Sequence, residues 1–254
     1  MNGPDTRWLR RYHRRARTEV TLVCLPHAGG SASFFYPFSA ALSDSVDVVA
    51  VQYPGRQDRH DEPQVGSVAA LAAAVAEQVA ALGRRPVALF GHSMGALVGY
   101  ETTLLLEQAG HPPTHLFASG RRAPSTSRAE TVHQLSDDRL VAHVQQLDGD
   151  ANIAEALNDP DVRTMALPAL RTDYRAVETY PVTTGPPVRC PITVLTGRDD
   201  PVVSAAEAAA WMGHTLGHFE CLIFPGRHFF VATHRESVVT EVERRLVAVP
   251  STPG

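Results

Sequence analysis

The chain has 254 residues, 44% of them apolar and 20% charged, the make-up of a single globular domain with a large core. A formal net charge of -4 gives no support to a nucleic-acid partner, and no apolar run approaches the roughly 20 residues of a membrane span. The N-terminus has arginines but no apolar h-region, so no signal peptide and a cytoplasmic location are expected. Cys24, Cys190 and Cys221 lie in or beside strand-like stretches, without disulfide or metal spacing, and read as buried thiols.

Residues 1–18 are polar and basic, with Arg7, Arg10, Arg11, Arg14, Arg15 and Arg17. They read as a solvated extension or an edge strand, with an arm for an acidic partner as the alternative. Val20 to Leu25 is the first core strand, running into Pro26-His27-Ala28-Gly29-Gly30-Ser31, where small residues let backbone come close to a ligand. A helix over Ser33 to Leu42 and a strand over Val46 to Val51 follow. Val68 to Leu82 reads as an Ala-rich helix, N-capped by Ser67 and stopped by Gly83. Val87 to Phe90 is a buried strand, and Ala96 to Ala109 a helix ended by Gly110. His115 to Ser119 is the next strand.

From about 121 to 187 the strand signal disappears. One helix is expected after Ser136, stopping at Gly149, and another from Asp159-Pro160, kinked or split by Pro168. Alternation resumes with a strand at Ile192 to Thr196, a helix from Ala205 to Met212, a strand at Phe219 to Phe224 and a helix at Glu236 to Val247. Strands alternating with helices predict one α/β domain over 1–254, its mostly parallel sheet covered on both faces. The 121–187 stretch is a helical insertion leaving from the loop end of a strand. Ligands bind at that end of such sheets, so a lid is expected.

Between the fourth strand and its helix stands Gly91-His92-Ser93-Met94-Gly95, a G-x-S-x-G in the strand-turn-helix setting of a nucleophile elbow. A tight turn there puts Ser93 at positive φ and aims the Met94 N–H at whatever Ser93 attacks. A serine hydroxyl needs a base, and this architecture orders the partners Ser, acid, His. His228 lies on the loop directly after the last strand. Asp199 and Asp200 follow the Ile192–Thr196 strand. Asp200 is preferred, as the fourth residue of Gly197-x-x-Asp200-x-x-Val203, and Asp199 is the alternative. A second oxyanion donor is expected from the His27-to-Gly30 loop, at the Ala28 N–H. The residues alone give a serine acyl hydrolase or acyl transferase.

The chain resembles the type II thioesterases of polyketide and non-ribosomal peptide biosynthesis. The resemblance rests on Leu22 to Ser33, Gln52 to Arg59, Phe90 to Ala96, Ser119 to Pro124, Leu167 to Tyr174 and Gly226 to Phe230, and runs from about Trp8 to Val247. It implies an α/β-hydrolase fold with a helical lid, and acyl groups held as thioesters on the phosphopantetheine arm of acyl or peptidyl carrier domains. It implies removal of stalled or wrong acyl groups and places the triad on Ser93, Asp200 and His228, with oxyanion donors at Ala28 and Met94. No metal or other cofactor, no nucleic acid, no membrane and a monomer are expected. Arg56, Arg59, Arg121 or Arg122 at a rim would attract an acidic carrier, unless they are structural ion pairs. A general carboxylesterase or medium-chain fatty-acyl thioesterase would use the same triad, and a silent binding protein on this fold would lack reactivity at Ser93.

Overall fold

The computed structural model describes residues 5–83, 85–148, 154–183 and 185–247. In chain order the elements are β1 Leu9–Arg10, β2 Val20–Leu25, α1 Tyr36–Ala41, β3 Val46–Val51, α2 Val68–Ala80, β4 Val87–His92, α3 Met94–Gln108 and β5 His115–Ser119. Then come α4 Asp137–Asp148, α5 Pro160–Glu178, β6 Ile192–Gly197, α6 Ala205–Ala209, β7 Phe219–Phe224, α7 Phe230–Thr233 and α8 Arg235–Leu246. The seven strands form one sheet in the order β1-β3-β2-β4-β5-β6-β7. Every pairing is parallel except that of β1 with β3.

The basic N-terminal stretch thus carries an edge strand, and four of its arginines, Arg7, Arg10, Arg11 and Arg15, pair with aspartates. Arg11 pairs with Asp47 at 3.1 Å and Arg15 with Asp44 at 2.7 Å. β2 and β3 are buried along their whole length because helices cover both faces. On one face α2 and α3 pack Leu71, Val75, Leu97 and Tyr100 against the sheet. On the other, Phe38 from α1 and Val238 and Val242 from α8 meet Phe90 and Phe117. Local signals set the ends of α2: Ser67 Oγ accepts from Ala70 N–H at 3.2 Å, and Gly83 follows at φ +96°.

Sequence order reverses between β2 and β4, so the carboxyl ends of these two strands flank the crevice where such sheets take ligands. Leu25 is in register with Gly91, which sets the His27–Ser31 loop beside the elbow. Between β5 and β6 the only strand-like pairing among the described residues is the isolated bridge of Val188 with Thr215. The insertion has its own small core of Leu140, Val141, Leu167 and Leu170. The expected stop of α4 at Gly149 lies outside the described residues.

Of the kink or split expected at Pro168, the split does not occur. Pro168 neither ends nor splits α5, which runs unbroken from Pro160 to Glu178. Proline removes one backbone donor and crowds the turn before it. The packed face of Leu167, Ala169 and Leu170 offsets that cost. Gln64 also meets the helix at this turn. With its amide nitrogen toward Pro168 O (2.9 Å) and Thr172 Oγ1 (2.5 Å), its oxygen accepts from Ala169 N–H at 3.1 Å. Among the described residues no helix is long and apolar enough to cross a membrane.

Candidate active site

Ser93 has φ 54° and ψ -115°, between the last residue of β4 and the first of α3. Only a residue forced by its neighbours holds such a conformation without being glycine. The two glycines are required by contact. A Cβ on Gly91 would lie 2.0 Å from Gly95 O, and one on Gly95 would lie 2.1 Å from Leu25 O. The turn is pinned by Ser93 N–H donating to Ser119 O at 2.7 Å. The hydroxyl is left at the partly exposed floor of the crevice.

The loops after β6 and β7 press together beside it. Asp199 N–H donates to Gly226 O at 3.0 Å, and a Cβ on Gly197 would meet Arg227 O at 2.2 Å. This brings His228 Nδ1 within 2.8 Å of Asp200 Oδ2, the two side chains being 3% and 0% exposed. An ionised carboxylate only accepts, so the Nδ1 proton faces Asp200 and Nε2 is left as the basic nitrogen. The other carboxylate oxygen accepts from Val202 N–H at 2.9 Å. Asp199 is exposed and its side chain does not meet His228. Among the described residues no hydrogen bond joins Ser93 Oγ to His228 Nε2. Such contacts are often loose until substrate is bound. The histidine is nevertheless beside the elbow: its ring centroid is 5.2 Å from that of His92, and its Cε1 would lie 3.4 Å from a Cβ on Gly120.

The Ala28 and Met94 N–H groups have no acceptor among the described residues. Met94 opens α3, where helical N–H groups lack intrahelical partners. Ala28 follows β2, which touches the elbow through Gly95. Gly30 N–H donates to His27 O at 2.9 Å, which turns the loop at Ala28. Two N–H donors, a nucleophile and an oriented imidazole together can carry acyl transfer.

His27 and His92 are both buried beside His228. Burial, with smaller contributions from His228 and Arg56, lowers His27 to about 3. Burial likewise drives His92 far below its ordinary value, so both rings are neutral at neutral pH. His92 Nδ1 pairs with Ser119 Oγ at 3.0 Å. Sequence reasoning missed Asp173, which α5 places against the oxyanion loop, its Oδ2 accepting from Gly29 N–H at 2.7 Å. The available signal was an acidic residue three positions after Leu170, on the apolar face of a helix.

Of the two readings of the rim arginines, structural ion pairing holds for Arg56, Arg59 and Arg122. Arg56 is buried in an ion pair with Asp173, Arg59 with Glu62 at 2.5 Å, and Arg122 with Glu130. Arg59 also lies over the Trp8 ring and donates to Gln52 O at 2.7 Å. Arg121 forms no salt bridge among the described residues, and its Nε is buried. Arg56, Arg59 and Arg122 are internal braces rather than an exposed patch. Of the three thiols expected to be buried, Cys24 and Cys190 are, whereas Cys221 is only partly so. Burial raises Cys190 to about 12 and Cys24 well above its ordinary value.

A cavity of about 520 Å³ opens between the His27–Phe34 segment and α5. Its walls are mostly apolar, including Val144, Leu157, Met165 and Leu170, with Arg56, Gln57 and His60 on one side. Ala28 lines it, whereas Ser93 and His228 do not, so the cavity lies on the Ala28 side of the elbow.

The chain is similar to known proteins along nearly its whole length. Residues 20–246 match the family model described as "Thioesterase domain". The chain is 51% identical over 243 residues to the "Probable cadicidin biosynthesis thioesterase" of Streptomyces griseus, covering 94% of this chain and 66% of that one, so it spans slightly less than two thirds of that relative. It is 42% identical to "Thioesterase PikA5" of Streptomyces venezuelae over 100% of this chain and 90% of that one. Among solved structures, the type II thioesterase BorB from the borrelidin biosynthetic cluster superposes with a TM-score of 0.90 at 45% identity. It covers 97% of this chain and 100% of that one. YbtT, a type II thioesterase from the yersiniabactin pathway, gives 0.84 at 30% identity over 94% and 98%. The chain belongs to the thioesterase family, with the α/β-hydrolase fold, and is a hydrolase that acts on thioesters.

Proposed function

We propose that this protein is a type II thioesterase that removes stalled or wrong acyl groups from the phosphopantetheine arms of acyl or peptidyl carrier domains, with Ser93, His228 and Asp200 as its triad. The printed pathway of YbtT, a non-ribosomal peptide and polyketide one, supports the carrier-bound substrate class. The observation that carries the mechanism is the covered His228–Asp200 pair beside a strained serine, with two free N–H groups across the crevice.

In the proposed reaction His228 Nε2 takes the Ser93 proton as Oγ bonds to the thioester carbonyl carbon. The carbonyl oxygen becomes an oxyanion, held by the Ala28 and Met94 N–H groups. The C–S bond breaks, and the pantetheine thiolate takes the proton from His228. Water then attacks the acyl-serine with His228 again as base. The Ser93–acyl bond breaks, Oγ regains a proton, and the carboxylic acid leaves. Asp200 holds the ring and stabilises its charged form. The reaction consumes only water, and no cofactor is proposed. The 121–187 insertion is the proposed lid over the arm.

The test of substrate class is one acetyl or propionyl group offered on a phosphopantetheinylated carrier domain and as a nitrophenyl ester. The expected result is a clear kcat/KM preference for the carrier thioester. Equal or better turnover of the free ester would move the function to a general esterase with the same triad.

A further inference from the structure

The helical insertion meets the oxyanion loop through a contact that is polar, buried and shared three ways. Asp173, on α5, is 1% exposed. Its Oδ2 accepts from the Gly29 N–H at 2.7 Å and from Arg56 Nη2. Arg56 is itself fixed, donating to Pro54 O at 2.8 Å and lying over the Tyr53 ring at 5.0 Å. Gln52 completes the frame, donating to Arg56 O at 3.1 Å and accepting from Ala32 N–H at 2.8 Å. One turn earlier on α5, Leu170 Cδ1 would lie 2.6 Å from a Cβ on Gly29, so helix and loop are in direct contact.

Both peptide groups around Ala28 are thereby held. The His27–Ala28 peptide is held through its carbonyl, which accepts from Gly30 N–H at 2.9 Å. The Ala28–Gly29 peptide is held through its N–H, which goes to Asp173. The Ala28 N–H is what remains free. A buried carboxylate–guanidinium pair is seldom worth more to stability than an apolar pair of the same volume. Orientation of the loop is the role that its placement explains.

We propose that Asp173 is a positioning residue, which docks α5 on the oxyanion loop and aims the Ala28 N–H at the oxyanion formed on the substrate carbonyl. This rests on the assignment of Ser93 as nucleophile and of Ala28 as oxyanion donor. A competent oxyanion hole then requires the second half of α5 to stay docked. Substrate enters without lifting Leu170 and Asp173, and the seating of the insertion is read directly by the chemistry.

The test uses the full chain with an acetyl-loaded carrier domain. The variant Arg56→Met with Asp173→Leu removes the pair without stranding a buried charge. A backbone ester at position 29 deletes only the Gly29 N–H and leaves the ion pair intact. For each, kcat, KM and Tm are measured. So are the affinities of a trifluoromethyl ketone analogue, which Ser93 converts to a tetrahedral oxyanion, and of an inert thioether analogue. The expected result for both is a kcat lower by about 10- to 100-fold with KM within about 3-fold. Ketone affinity should fall by a similar factor and thioether affinity should hold. Asp173→Asn, which keeps an oxygen for Gly29, should recover most of kcat despite a lower Tm. Unchanged kcat in the ester variant would overturn the proposal, as would parallel weakening of both analogues. A wild-type enzyme that bound no ketone covalently, or an active Ser93→Ala, would instead remove the underlying assignment.

Discussion

Two aspartates stand side by side after β6, and only one meets the histidine. Asp200 is turned inward by its own hydrogen bond to Val202 N–H, while Asp199 spends its backbone N–H on the β7 loop and stays exposed. The spacing from Gly197 to Val203 favoured Asp200, but only the paired loops show why. Asp200→Asn should therefore lower kcat by roughly 10³- to 10⁴-fold, since an amide favours the wrong imidazole tautomer. Asp199→Asn should stay within about 3-fold of wild type, and steady-state rates on a carrier thioester check both. A second residue-scale prediction concerns stability. Burial, helped by Arg245 and His218, lowers His115 to about 4. The unfolded chain takes up that proton near its ordinary pKa and the folded chain refuses it. Stability is thus fully present above about pH 6.5 and lost as pH falls toward 4. His115→Gln, which can keep the bond to Thr193 Oγ1 (2.9 Å in the wild type), should lose less stability over that window, by on the order of 1–3 kcal/mol in urea titrations. An identical pH dependence would contradict the assignment.

At the scale of elements, the elbow was legible because its demands are local. A strand, five residues and a helix specify it, and Gly91 and Gly95 are explained by backbone atoms about 2 Å from any added Cβ. Gly95→Ala should destabilise the fold by about 3 kcal/mol or more, because Leu25 O is backbone of the central sheet and cannot give way. Chemical denaturation reads this directly, and a near-normal midpoint would mean that the turn relaxes. The α5 helix shows the opposite case. Pro168 is a local stop signal, but the helix continues through it, and Gln64, more than a hundred positions away in sequence, meets it at that turn. The Asp173 contact to Gly29 is likewise 144 residues apart in sequence, beyond any periodicity or spacing rule.

For the whole molecule, strand and helix alternation predicted the parallel sheet, and the reversal of strand order at β2 and β4 explains why the elbow and the His27–Ser31 loop share one crevice. Charge was the least legible property. Arg56, Arg59 and Arg122 look like a basic rim in sequence, yet each is buried against a carboxylate supplied by its neighbours or by the insertion. Whether an arginine is free depends on tertiary partners, which the chain does not display in one dimension. The central claim, acyl transfer through Ser93, is tested most directly by turnover of an acetyl-loaded carrier domain by wild-type enzyme and by Ser93→Ala at equal folded concentration. The expected result is a loss of about 10⁴-fold or more in kcat, with the variant still folded and still binding the carrier. Turnover by Ser93→Ala within about 10-fold of wild type would contradict it.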